Sequence, residues 1–214
     1  MSRRGAFISL EGIEGVGKST NLAFVATVVH DAKLEVVTTR EPGGTPFGER
    51  VREWILDGDH GRLSAEIEAL LMFAARARHL EQVIEPALAA GRWVVCDRFT
   101  DATFAYQGGG RGASKTLLES LQTEIQRGLE PDLTLLLDAP LDIGQSRISS
   151  RKPDHFEREQ RPFFERVRGT YLALARERPQ RIKIIDAAQP LDNVQQQIAS
   201  HVRPLIERFA RSKA

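Results

Sequence analysis

A lysine and a serine closing a glycine-rich run are the residues whose spacing could do chemistry. Gly12-Ile13-Glu14-Gly15-Val16-Gly17-Lys18-Ser19 fits G-x-x-x-x-G-K-[ST], a loop that wraps nucleotide phosphates. Its glycines permit a tight turn that aims several backbone N–H groups at one anion. Lys18 has the reach for β- and γ-phosphates, and the Ser19 hydroxyl can join an Mg²⁺ shell. A helix starting there adds its positive dipole end to the same anion. The competing reading is a chance glycine-rich turn.

Other charged residues stand where predicted strands end. Arg98 offers a planar fork suited to a second phosphate, with Arg40 and Arg52 as weaker candidates for the same acceptor. Asp97 and Glu11 end strands beside the loop, where a carboxylate would hold Mg²⁺ or its waters. A structural Asp97-Arg98 ion pair is the plainer alternative, and Asp138 is a third strand-end carboxylate that could simply cap a helix. Arg147, Arg151 and Lys152 precede Pro153 between two predicted helices: either a basic lid over a transferring phosphoryl group or a solvated helix end. Phosphoryl transfer needs positioning and charge neutralisation rather than a nucleophile triad, and the sequence presents none. The five histidines lack metal-ligand spacing.

The elements that must position these residues alternate. Short apolar runs at Ala6–Leu10, Leu34–Thr39, Arg92–Asp97, Leu133–Asp138 and Ile182–Asp186 read as strands, separated by segments of helical periodicity. Apolar runs without period-two alternation predict an α/β fold, a parallel sheet covered by helices on both faces. Loops at the carboxyl ends of such strands form a ligand crevice, so the loops after the first three strands are expected to converge. Ser64 caps a predicted helix running to about Ala90, roughly 39 Å long. Ile67, Leu70, Leu71, Ala74, Ile84 and Leu88 form the stripe expected to pack on the sheet. Met72, Arg76, His79 and Val83 form a second stripe, lining either a pocket or an exposed or dimer-contacting face. Residues 100–112, rich in glycine, read as a long turn. Pro204 is expected to kink the last helix.

The whole chain sets the outer bounds. Its 214 residues suffice for one domain with a proper core, and 41% hydrophobic with 28% charged residues place it among ordinary globular proteins. A net charge of +1 gives no bulk attraction to nucleic acid or membrane. The lone Cys96, inside an apolar run, excludes an internal disulfide framework and fits a reducing cytoplasm. No secretory signal and no membrane-spanning segment are expected.

The phosphate loop, Thr39-Arg40-Glu41-Pro42-Gly43-Gly44-Thr45, Asp97-Arg98-Phe99, and Ala105-Tyr106-Gln107-Gly108 with Arg111-Gly112 together resemble the bacterial thymidylate kinases. The resemblance covers most of the chain. It implies a P-loop kinase fold of five parallel strands in a single domain, residues 1–214, with a short lid at about 147–160. It implies transfer of the γ-phosphoryl group of ATP to dTMP with Mg²⁺, and a cytoplasmic homodimer. Residues Gly12 to Ser19 would hold ATP, with Arg147 on the donor side. Arg98, helped by Arg52, would hold the dTMP phosphate, with Asp97 and Glu11 organising metal and acceptor. Arg76 would hydrogen-bond thymine, Tyr106 would pack near the deoxyribose, and Thr103 and Gln107 would offer polar contacts. With Glu14 in the loop, the catalytic arginine would come from the lid, Arg151 first and Arg147 second. Where the family stacks an aromatic ring on thymine, four residues before Arg76, this chain has Met72 with Phe73 beside it; either Phe73 stacks or Met72 packs on the ring. The lid reads Asp154-His155-Phe156-Glu157 instead of Asp-Arg-x-Glu. A nucleotide-dependent switch and a nucleic-acid-dependent ATPase are the alternatives from other classes. The chain lacks a guanine-binding Asn/Thr-Lys-x-Asp motif, and its near-neutral charge disfavours a nucleic-acid groove.

Overall fold

Five short runs form one sheet whose three central strands are buried on both faces, while the two edge strands keep exposed residues. The computed structural model describes residues 4–57, 63–148 and 159–211. Strands β1 (Phe7–Glu11), β2 (Val36–Arg40), β3 (Trp93–Asp97), β4 (Leu133–Asp138) and β5 (Ile182–Asp186) pair in the order β2-β3-β1-β4-β5. All pairings are parallel, with Leu10 opposite Asp97 on one side and Leu135 on the other. Alternate residues of β1 enter different clusters. Ile8 and Leu10 pack with Val25, Val29 and Ile198, while Phe7 packs with Leu80, Ile84, Val94 and Cys96. The central strand is therefore covered on both sides, as its unbroken apolar sequence requires.

Helices α1 (Lys18–Asp31), α2 (Pro46–Asp57), α3 (Ala65–His79), α4 (Glu85–Ala89), α5 (Thr100–Thr103), α6 (Lys115–Gln126), α7 (Leu141–Ile148), α8 (Arg161–Glu177) and α9 (Leu191–Arg211) connect and cover the strands. Ser64 caps α3 as predicted, its hydroxyl accepting from the Ile67 N–H at 3.3 Å. Pro204 lies inside α9. Of the expected lid, residues 149–158, Arg151 among them, lie outside the described residues.

Two expectations are corrected. The predicted long helix does not present one continuous stripe to the sheet. Ile67 and Leu70 are about half exposed, at 47% and 50%, whereas Met72, Arg76 and His79 are buried. Ile84 and Leu88 do pack beneath the sheet. The cause is a π-helical turn, Leu80–Ile84, between α3 and α4. One wide turn adds a residue and rotates everything beyond it, so positions aligned on an ideal wheel no longer share a face. Pro86 follows at the start of α4, where an ordinary helical turn would ask for an N–H that proline lacks.

The second correction concerns residues 100–112. They are helical: α5 passes into a second π-helical turn, Phe104–Gly110. Its glycines serve close packing against α8. A Cβ on Gly109 would fall 2.0 Å from the Thr170 hydroxyl, and one on Gly110 would fall 2.5 Å from the Phe163 ring.

Candidate active site

The loop between β1 and α1 has the backbone its glycines predict. Gly12 and Gly15 have positive φ, and a Cβ there would collide with the Leu137 and Gly144 carbonyls at 2.3 and 2.0 Å. Ile13 and Val16 are buried anchors, Gly17 leads into α1, and Ser19 is exposed in its first turn. Lys18 is folded inward, its Nζ donating to the Gly12 and Ile13 carbonyls at 3.1 and 2.7 Å. Burial first, and Arg98 next, push the Lys18 ammonium down to about 8.

Arg98 follows β3 with a left-handed φ of 67°, a conformation costly for any residue bearing a side chain. Its N–H is fixed by the Leu10 carbonyl at 2.9 Å. The guanidinium turns to Glu14 rather than Asp97: Nη2 donates to Glu14 Oε1 at 2.7 Å and to the Tyr106 hydroxyl at 3.0 Å. Tyr106 in turn donates to Glu14 at 2.7 Å. Burial pushes the Glu14 carboxyl up, but Arg98 and Lys18 prevail and hold it below its ordinary value. Asp97 joins Ser19, Thr38, Thr39, Arg40, Gly44 and Val83 around an open cavity of about 840 Å³. Arg40 thus faces the side of Ser19 and Asp97, and its guanidinium pairs with Glu49 at 2.8 Å.

Glu11 differs from the expectation of a metal-organising carboxylate. It is fully buried, accepting from the Phe99 N–H at 2.7 Å and from the Tyr171 hydroxyl at 2.9 Å. Burial, then Asp101, push its carboxyl up to about 8, so it carries a proton near neutrality. Such a group ties β1 to the backbone after Arg98 and to α8; it is a brace. Asp138 is likewise structural, gripped by both ends of the Arg168 fork at 2.6 and 2.8 Å.

A second, narrower cavity is lined by Glu14, Pro42, Arg52, Ile55, Leu56, Met72, Arg98, Ala102, Tyr106 and Gln107. Met72 reaches it and Phe73 does not: Phe73 is buried with Ala69, Ala113 and Leu118, its ring 4.6 Å from the Arg76 guanidinium. Spacing alone could not separate these neighbours, which lie one residue apart on the helix. Arg76 is wholly buried, donating from Nε to Glu41 at 2.8 Å and from Nη2 to Thr103 at 2.9 Å. Gln107 is held by Glu68 at 3.1 Å. Arg147, at the end of α7, donates to the Ala187 carbonyl at 3.3 Å. The mixed stripe of α3 thus lies inside, with Met72 on one cavity and Val83 on the other.

Among the described residues, several lining the two cavities hold buried polar atoms without a partner, Glu14 Oε2, Asp97 Oδ1, Arg98 Nε and Gln107 Oε1, as does Arg76 at Nη1, one helical turn on from Met72. Such atoms are costly unless a ligand completes them. Pro42, Ile55, Leu56 and Ala102 of the cavity wall, and Glu41 and His79 behind it, were not assigned from sequence. The Pro-Gly-Gly loop and the polar helix stripe were the available signals.

The family model described as thymidylate kinase matches residues 10–198. The chain belongs to the thymidylate kinase family. The thymidylate kinase of Methylococcus capsulatus is 58% identical over 203 residues, covering 94% of this chain and 97% of that protein. That of Chromohalobacter salexigens is 56% identical over 209 residues, covering 96% and 97%. Among solved structures, the thymidylate kinase from Ehrlichia chaffeensis superposes with a TM-score of 0.75 at 30% identity, covering 94% of this chain and 99% of that one. The parallel sheet and phosphate loop are those of a thymidylate kinase fold, and the cavity beside the loop lies where the strand order leaves a crevice.

Proposed function

We propose that the chain transfers the γ-phosphoryl group of ATP to dTMP, giving dTDP and ADP in a step of dTTP biosynthesis. The observation carrying this reading is a largely apolar cavity lined by Glu14 of the phosphate loop and by Arg98, which donates to it, in a chain of this family. Gly12 to Ser19 cradle the ATP phosphates, with Lys18 exchanging two carbonyls for phosphate oxygens. Arg98 and Arg52 take the dTMP phosphate. Met72 packs on the thymine ring, the open Nη1 of Arg76 donates to a ring carbonyl, and the open oxygen of Gln107 accepts from a ring N–H. Tyr106 stands against the deoxyribose. Ser19 and the unpartnered oxygen of Asp97 share one cavity and suit Mg²⁺, which when bound would neutralise phosphate charge. Arg151 supplies the lid's charge to the transition state, with Arg147 the second candidate for that role.

The chain works as one domain, residues 1–214, in the cytoplasm. No described helix is long and apolar enough to cross a membrane. Large apolar side chains stand about half exposed on two neighbouring helices, Phe47 and Trp54 on α2 and Ile67 and Leu70 on α3, which supports a homodimer. The test is an ADP-release assay with ATP and Mg²⁺ and a panel of dTMP, dUMP, dCMP, dGMP, UMP and thymidine. dTMP is expected to be fastest, dUMP weaker and thymidine silent. A different preferred acceptor would undo the roles of Met72, Arg76 and Tyr106, and no stimulation by any acceptor would favour a nucleotide switch.

A further inference from the structure

One helical turn on from Met72 of the cavity wall, Arg76 begins a buried polar chain. Glu41, 3% exposed, gives each carboxylate oxygen a different partner: Oε2 accepts from Arg76 Nε at 2.8 Å, and Oε1 from His79 Nδ1 at 2.9 Å. The other ring nitrogen of His79 lies 2.6 Å from the Thr39 hydroxyl. The histidine is fully buried, and the loop closes over it: a Cβ on Gly44 would come within 2.5 Å of its Nε2. The Glu41 N–H is itself fixed by the Asp97 carbonyl at 2.9 Å.

We propose that Glu41 and His79 are a positioning pair that sets the Arg76 guanidinium, so that residues outside the cavity decide which base is accepted. This rests on the reading that Arg76 contacts the base. A glutamate's terminal torsion is soft, so backbone anchoring alone does not orient the carboxylate. Nor does Arg76 orient it favourably, because an unconstrained carboxylate takes a guanidinium through two parallel bonds. That fork would engage Nε and Nη2 together and draw Nη2 from Thr103, turning Nη1 away from its present place. His79 opposes this by holding Oε1 on its own side, which fixes the carboxylate's rotation. The single Nε–Oε2 bond leaves Nη2 for Thr103 and Nη1 for the ligand. Thr39 braces the ring from behind, tying base recognition to the end of β2.

Two histidine replacements separate the arms of the chain. His79→Asn places an amide N–H near the position of Nδ1 and keeps the bond to Glu41. His79→Gln places its amide near Nε2, keeping Thr39 and losing Glu41. In steady-state assays with dTMP and dCMP, His79→Asn is expected to stay close to the parent protein. His79→Gln is expected to raise the dTMP KM about 10-fold with kcat little changed, and to shrink the dTMP-over-dCMP preference by a similar factor. Glu41→Gln, which can accept from only one of the two neighbours, is expected to follow His79→Gln and carries the test if that variant does not fold. Equal behaviour of the two His79 variants, or a loss confined to kcat or melting temperature, overturns the proposal. Arg76→Met separates the two levels. If it leaves base preference intact, the Arg76 reading itself fails. If it abolishes preference while His79→Gln and Glu41→Gln do not alter it, only the positioning pair fails.

Discussion

The two cavities at the end of β3, one lined by Arg98 and the other by Asp97, are built to opposite specifications. The proposed acceptor side is the less open, and the groups near it are locked: Arg76, His79 and Glu41 are at most 3% exposed, the first two both hydrogen-bonded to Glu41. The proposed donor side is open, with Ser19 exposed, and Lys18 of the phosphate loop rests on two carbonyls as provisional partners. A preorganised pocket discriminates because a wrong base leaves fixed polar atoms unpaired. Charges parked on replaceable partners instead let a polyphosphate enter and leave without stranding a buried cation. Specificity and turnover are thereby assigned to different halves of one crevice.

Substitutions can break that division. The largest effect is expected for Lys18→Ala, a loss of about 10²–10⁴ in kcat with the preference for dTMP over dCMP unchanged. A changed preference would show that the halves are not separate. Arg151→Ala is expected to lower kcat about 100-fold and leave the dTMP KM within about threefold, the pattern of a group acting on the transition state. A pure KM effect would move Arg151 to substrate binding. Arg98→Ala should raise the dTMP KM by about tenfold or more, because it removes a charge-assisted contact from the bound ground state as well. Unaltered dTMP binding in that variant would leave the acceptor phosphate without its proposed clamp.

Proton titration sharpens the contrast more gently. In the free protein the Lys18 ammonium is lowered to about 8 by burial and Arg98, so kcat/KM for ATP should fall as pH rises through about 8. Bound polyphosphate favours the ammonium, so the corresponding limb of kcat should lie at higher pH; coincident limbs would contradict Lys18 as a phosphate contact. The smallest effect belongs to the brace. Glu11 titrates in the folded protein at about 8, above its ordinary 4.5, through burial and Asp101. The folded state therefore holds the extra proton, and stability is lost as pH rises across that interval. Glu11→Gln should flatten this dependence in urea melts at pH 5 and pH 8, and an unchanged slope would mean that Glu11 ionises freely.

What could be read from sequence was what depends on neighbours along the chain. The strands β4 and β5 match their predicted bounds, and the other three fall within two residues, since short apolar runs leave little choice. The phosphate loop was legible because eight consecutive residues contain all of its geometry. Glu11 was misread because the hydroxyl that claims it belongs to Tyr171, 160 positions away. The exposed face of α3 was misassigned because a π-helical turn leaves no periodic trace of its own. His79 stood in a stripe visibly too polar for ordinary core, but its partner Glu41 lies 38 positions upstream and no local pattern joins them.

The contact between the Phe104–Gly110 turn and α8 has an implication for adaptation. Tyr106 and Gln107, which face the acceptor cavity, are carried by a segment whose glycines already touch Thr170 and Phe163, and Arg166 holds the Gly110 carbonyl at 2.9 Å. No side chain can be added at Gly109 or Gly110 without parting two helical elements. An inhibitor leaning on this wall would press against a surface whose glycine positions point mutation has little room to reshape.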